Sequence, residues 1–167
     1  WSAFRCGSRN GFSRPKLLDN RRVLPIDRGL IMLEYEVFAQ RLSAQGSVAT
    51  TKCAEVALDT NLDGREDAFN PAELLLAALS ACMLKGIERV TPMLKFEFRG
   101  VAVRIHGWRQ DAPPKMARIE YTVWVDSDEP DRRLELLHEN LKKYGTVFNT
   151  VSAGCELTGT LRRGLPD

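Results

Sequence analysis

The sequence predicts an α+β fold in which antiparallel sheet packs around a buried central helix. Three observations predict it. The elements come in blocks, strands then helix then strands then helix then strand, and not in the βαβ alternation of a doubly wound sheet. Residues 71–89 are apolar on every side, as in a helix with no wet face. Both strand candidates that follow alternate with a period of two. A helix that is apolar all round needs more cover than one small sheet gives, so a dimer with its helices buried between subunits is expected.

At 167 residues the chain suits one domain with a sizeable core. Its first 31 residues read as a basic extension, and residues 32–167 as the domain. The extension holds seven Lys/Arg (Arg5, Arg9, Arg14, Lys16, Arg21, Arg22, Arg28) against Asp19 and Asp27. That is a net +5 within a chain total of +2, which leaves −3 on the remainder. The extension has no apolar stretch of the kind a secretory signal needs, and no later stretch reaches the ~20 apolar residues of a membrane span. A reduced, cytoplasmic setting without membrane contact is therefore expected. Nucleic acid is not expected as a partner, because aromatic stacking groups are not interleaved with the basic residues of the extension.

Within the domain, the segment from Tyr35 to Pro71 reads as two or three strands. Gly46 and the cluster Asn61, Asp63, Gly64 mark the turns. Asn70 is placed to cap the central helix, with Pro71 at its first position and Glu73 near its positive end. The helix is expected to end near Arg89. Val101, Val103 and Ile105 alternate with Ala102, Arg104 and His106, and Ile119, Tyr121, Val123 and Val125 alternate with Glu120, Thr122, Trp124 and Asp126. The prolines of "QDAPPK" place a connecting loop between these strands. Asp128 is the expected cap of a second helix presenting Leu134, Leu137 and Leu141. Gly145 is its expected left-handed end. A helical turn over residues 146–153 and the strand "CELTGTLRR" complete the chain.

Four cysteines are present, Cys6, Cys53, Cys82 and Cys155, and no two form a CxxC motif. Neither His106 nor His138 stands at metal-ligand spacing, so no metal and no cofactor is expected. Cys82 lies in the middle of the apolar helix, and two readings are open. Free cysteine packs readily as a small hydrophobe. A reactive thiol at this depth in a helix gains little from the dipole and needs a cation supplied in space. Lys85, three residues on, and Arg41 and Arg65 are the candidates.

"NPAELLLAALSACM", the paired strands after it and "KKYGTVFNTV" near the end resemble the OsmC/Ohr family of peroxide-resistance proteins, over roughly residues 32–163. The resemblance implies an intertwined α+β homodimer with two sites at the subunit interface. It also implies a thiolate that attacks an organic hydroperoxide, becomes a sulfenic acid and is closed into a disulfide by a second cysteine. Cys82 matches the attacking thiol and is the one catalytic residue assigned. The second cysteine does not carry over. The family's Lys-Tyr-Cys reads Lys143-Tyr144-Gly145 here. Ala72 stands where the family's peroxidases carry a glutamate, and Gln45 lies nearest the place of their thiolate-stabilising arginine. The expectation is a one-cysteine, thiol-dependent peroxidase whose substrate is an organic hydroperoxide and whose reductant is an external thiol. The alternative is a non-catalytic dimer that binds a small apolar ligand at the subunit interface.

Overall fold

The computed structural model describes residues 24–26 and 30–166, so most of the basic extension, Cys6 included, lies outside the described residues. The chain forms two compact units, Trp1–Pro71 and Ala72–Asp167.

The N-terminal unit contains an antiparallel pair, β1 (Leu24–Ile26) and β2 (Leu30–Met32). An antiparallel meander follows, β3 (Phe38–Ser43), β4 (Gly46–Thr51) and β5 (Ala54–Leu58). The expected turn cluster after β5 is built on Asp59. Its carboxylate accepts the backbone N–H of Asn61 at 3.1 Å and of Arg65 at 3.0 Å. Asn61 in turn accepts the N–H of Asp63 at 3.3 Å, and Gly64 takes the left-handed conformation with φ 82°. Short polar side chains thus do the turn-making through their own neighbouring amides.

The C-terminal unit is organised by α1 (Pro71–Leu94). Its start fits the Asn70-Pro71 signal, but it runs past the expected end near Arg89 and through Pro92. A proline costs a helix one N–H donor and crowds the preceding turn. Here the helix ends directly afterwards, which limits that cost. Lys95 turns left-handed (φ 50°), its N–H reaches the Pro92 carbonyl at 3.3 Å, and the Phe96 N–H reaches that of Thr91 at 2.9 Å. That is a Schellman closure on a non-glycine residue. Arg133 adds to it by donating to the Leu94 and Lys95 carbonyls at 2.8 and 2.7 Å.

A hairpin of β6 (Gly100–Asp111) and β7 (Pro114–Asp126) follows, then α2 (Asp131–Tyr144), α3 (Thr146–Ser152) and β8 (Glu156–Arg163). The strands extend into "QDAPPK", leaving Ala112 and Pro113 as the connection. β8 pairs with β7 in parallel, whereas antiparallel sheet was expected throughout. The α2–α3 crossover is the reason, because returning the chain to the same end of the sheet makes the next strand parallel.

The core of this unit joins Leu79, Met83, Ile87 and Val90 of α1 to Ile119, Tyr121, Val123 and Val125 of β7 and to Leu134, Leu137 and Leu141 of α2. The period-two alternation of β7 is met, with odd residues in and even residues out. The all-apolar α1 buries only one stripe. Leu75 and Leu84 remain 38% and 41% exposed.

Two expected caps are corrected. α2 begins at Asp131 with Pro130 at its N-cap and no side-chain cap. The Asp128 carboxylate is instead bound by Arg99, at 2.5 and 3.2 Å. Gly145 is extended, with φ −80° and ψ 106°, so no left-handed cap calls for glycine there.

Candidate functional site

Cys82 is half-buried on α1. At about 100° per residue it sits about 60° around the helix from Leu79, on the edge of the buried stripe and not within it. The α2–α3 joint closes over this edge. A Cβ built on Gly145 would lie 3.5 Å from Cys82 Sγ, 2.8 Å from Phe148 Cβ and 3.0 Å from the Leu141 carbonyl oxygen. The absence of a side chain at residue 145 is therefore what lets the joint pack this closely. Gly145 is itself buried, and its carbonyl accepts the Asn149 N–H at 2.9 Å. The structure thus brings Cys82 against the position that the resemblance assigns to the second cysteine, and a bare backbone stands there.

Phe148, which sets the clearance at Gly145, also packs edge-on against Tyr121 with centroids 5.9 Å apart. Tyr121 OH lies 2.7 Å from His138 Nε2. Burial pushes the Tyr121 phenol up to about 12. Burial first, and then the nearby Lys142, hold the His138 imidazole below its usual range. These two polar groups satisfy each other inside an otherwise apolar wall.

No hydrogen bond or ion pair reaches Cys82 Sγ among the described residues. Lys85 is exposed on the same side of α1. The sequence reading missed Arg89, seven residues after Cys82 and so close to its edge of the helix. The Arg89 guanidinium lies over the ring of Tyr144, 5.9 Å from its centroid, next to Gly145. The i, i+7 spacing was the available signal.

The other candidate cations belong to the N-terminal unit. Arg41 is exposed on β3. Arg65 folds back onto the β3–β4 turn. There it donates to the Gln45 carbonyl at 3.4 Å, and its Nη1 fills the space where a Cβ on Gly46 would be. A two-pronged pair with Asp67, at 2.8 and 2.7 Å, holds it in place. A guanidinium therefore does occupy the turn where the resemblance places an arginine, but it comes from residue 65.

Cys53 is exposed. Cys155 is half-buried; its thiol donates to the Val151 carbonyl at 3.5 Å, and burial pushes its ionisation up. Among the described residues no cluster of His, Cys, Asp and Glu is arranged to hold a metal ion. No helix among them is long and apolar enough to cross a membrane.

Comparison with solved structures finds the same fold. An OsmC-like protein from Mycoplasma pneumoniae superposes with a TM-score of 0.73 at 16% identity, covering 79% of this chain and 98% of that one. An organic hydroperoxide resistance protein from Elizabethkingia anophelis gives 0.62 at 16% identity, covering 78% and 98%. The organic hydroperoxide resistance protein OhrB of Bacillus subtilis gives 0.57 at 13% identity, covering 75% and 96%. Comparison with curated proteins returns no match. The family model described as OsmC-like protein matches residues 64–159, more than half of the chain and the whole stretch from Cys82 to Gly145. On that match, the chain belongs to the OsmC-like protein family.

Proposed function

We propose that the protein acts in peroxide defence by reducing organic hydroperoxides through Cys82, with an external thiol completing the cycle. The observation that carries this reading is the apposition of Cys82 Sγ and residue 145, the two positions at which the family's peroxidases carry cysteines. The Cys82 thiolate attacks the distal peroxide oxygen. The S–O bond forms as O–O breaks, and the alkoxide leaves as the alcohol after taking a proton. One external thiol then displaces water from the sulfenic acid to give a mixed disulfide. A second releases Cys82 and departs as the oxidised disulfide. Gly145 supplies no sulfur for this, and Cys155, with its raised ionisation and its bond to Val151, is a poor substitute.

The working unit in this reading is a homodimer. Leu75 and Leu84 of α1 and the exposed apolar residues of β3 are its support, since a second copy would cover them.

The test incubates pure protein with an organic hydroperoxide and a dithiol, following peroxide loss and the mass of the Cys82 peptide. Turnover that disappears in Cys82→Ser is expected, with a sulfenic acid or mixed disulfide on Cys82 in the wild type. Turnover that survives Cys82→Ser sinks the proposal. The lack of any polar partner for Cys82 Sγ among the described residues favours a second reading, a non-catalytic dimer holding a small apolar ligand. Absent turnover together with an unoxidised Cys82 would establish that one.

A further inference from the structure

The outward face of the β6–β7–β8 sheet carries a polar cluster that the chemistry of Cys82 does not use. The strand register aligns Arg104, Thr122 and Thr160 in one row across the three strands. His106, Glu120 and Thr158 form the row on one side, and Ala102, Trp124 and Arg162 the row on the other. Rows two residues apart share a face, so these side chains converge. All of them except Ala102 and Trp124 line an open depression of about 520 Å³, within the size range of small-molecule sites.

Among the described residues Arg65, Arg99, Arg109, Arg118, Arg133 and Arg163 are each neutralised by a carboxylate. Arg41, Arg89, Arg104, Arg132 and Arg162 are not, and two of these five, Arg104 and Arg162, face this one depression. Glu120, the carboxylate lining the depression, is taken by Arg118. The Arg104 guanidinium lies over the Trp124 ring, 5.5 Å from its centroid. Stacking fixes the plane of a guanidinium and leaves its N–H edge open to an anion. The hydroxyls of Thr122, Thr158 and Thr160 bond to no other protein group among the described residues.

A second depression, of about 320 Å³ around Arg99, gives the contrast. Its guanidinium is already spent on Asp126 and Asp128.

We propose that this sheet face binds a phosphate monoester, with Arg104 and Arg162 clamping the phosphoryl group and the three threonine hydroxyls completing its hydrogen bonds. Two forks and three hydroxyls offer more donors than a carboxylate can accept, and they match a dianion with three terminal oxygens. His106, stacked on Trp108 with centroids 4.2 Å apart, gives the esterified group a flat wall. A nucleic-acid strand fits less well. The two open guanidiniums serve one phosphate, and the neighbouring Arg118 and Arg109 do not extend them among the described residues, being neutralised by Glu120 and Asp111.

The experiment titrates the full chain at constant ionic strength by calorimetry. The probes are inorganic phosphate, a nucleoside 5′-monophosphate, the parent nucleoside and a single-stranded oligonucleotide. Saturable binding of phosphate and of the monophosphate, but not of the nucleoside, is expected. Tighter binding of the monophosphate means that the ester group is also read, and equal binding means that the phosphoryl group alone is held; both support the site. The Arg162 side chain makes no hydrogen bond or ion pair among the described residues. Arg162→Gln therefore breaks none and should weaken binding about tenfold, as loss of a charge-assisted hydrogen bond does. Arg104→Lys keeps the charge but not the fork, and should weaken it several-fold. Arg132→Gln on α2 is the control and should change nothing. Melting curves confirm that each variant folds. Three results would overturn the proposal: equal binding of nucleoside and monophosphate, unchanged affinity in Arg162→Gln, or tighter oligonucleotide binding with a salt slope of several released ions.

Discussion

The two units of this chain bury their side chains very differently. In the C-terminal unit twelve residues form a closed core, and Leu79, Ile119, Val123, Val125 and Leu137 have no accessible surface at all. In the N-terminal unit every residue of β3 is exposed, and the segment leading into it carries Leu33 at 68% and Tyr35 at 79% exposure. Both sequences are rich in apolar residues, so composition does not separate them. What separates them is whether a second layer lies opposite. β7 has α1 on its inward face and α2 beside it. β3 pairs by hydrogen bonds with β4, but among the described residues no such layer covers its apolar side chains. β4 next to it does bury Gly46, Ser47 and Ala49, so the contrast lies in β3. A strand whose side chains are uncovered gains its ladder bonds but little of the hydrophobic term that dominates folding.

The largest expected effect tests the closed core. Leu137→Ala removes a fully buried side chain between α2 and β7. It should cost about 2–5 kcal/mol, as large-to-small core changes do. Urea unfolding of the variant measures it, and a cost below that range would show the core to be less tightly closed than described. Gly159→Ala comes next and acts by crowding. Its Cβ would stand 2.4 Å from the Tyr121 carbonyl oxygen and 2.5 Å from the Tyr121 ring. Backbone must move to admit it, which places the cost at about 1–3 kcal/mol, readable in the same titration.

Gly145→Cys carries the comparison into the site. The new Cβ meets Phe148 at 2.8 Å, so the joint must give a little, and a loss near the lower end of about 1–3 kcal/mol is expected. In exchange, an oxidant should join residues 82 and 145 in a disulfide, since Cys82 Sγ lies only 3.5 Å from that Cβ. Peptide mass mapping without reduction reads the bond. Its absence would mean that the α2–α3 joint is not seated over Cys82 as described.

These effects also mark what the sequence could show. The alternation of β7 and the Asn70-Pro71 start of α1 are local patterns, and both were legible. The resemblance singled out Cys82 and Gly145, 63 positions apart in the sequence, and the fold sets them against each other. The end of α1, expected near Arg89, was not legible, because the Lys95 turn closes the helix beyond Pro92 through its bonds to the Thr91 and Pro92 carbonyls. Asp128 has the residue type of a cap, but Arg99 competes for it from a different strand. Gly145 looked like a conformational glycine and is a spatial one. The phosphate-class face was hidden for the same reason. Arg104 and Thr122 are visible in the alternation of β6 and β7, but Thr160 and Arg162 reach them only through the parallel register of β8. Long-range partners, not local propensity, decide each of these cases.

On the N-terminal side the expected effects are smaller and of another kind. Val37→Ser and Leu42→Ser alter exposed positions, so the stability of a lone chain should shift by no more than about 0.5 kcal/mol. If a second copy covers β3, amide exchange in β3 should slow as protein concentration rises, while β7 exchange stays constant. Both substitutions should blunt that dependence. Equal exchange at all concentrations would argue against the homodimer.

The subtlest prediction uses pH to address the C-terminal unit alone. His138 is partly buried, and its imidazole titrates below the ordinary value of 6.5. Burial causes most of this, Lys142 adds to it and Glu139 opposes it, while Tyr121 OH bonds to the ring at 2.7 Å. A histidine whose folded-state value is depressed binds fewer protons folded than unfolded. Its contribution is therefore complete above the unfolded value and is lost as pH falls through the lowered folded one. Melting temperature should decline on acidification below about 6.5, and His138→Gln, which has no proton to take up there, should flatten that decline. Exchange of β7 amides should quicken over the same window, whereas β3 amides, corrected for the intrinsic pH effect, should not respond. A matching acid response in β3 would mean that the two units unfold as one, and the contrast between a closed core and an open sheet would then describe their surfaces but not their stabilities.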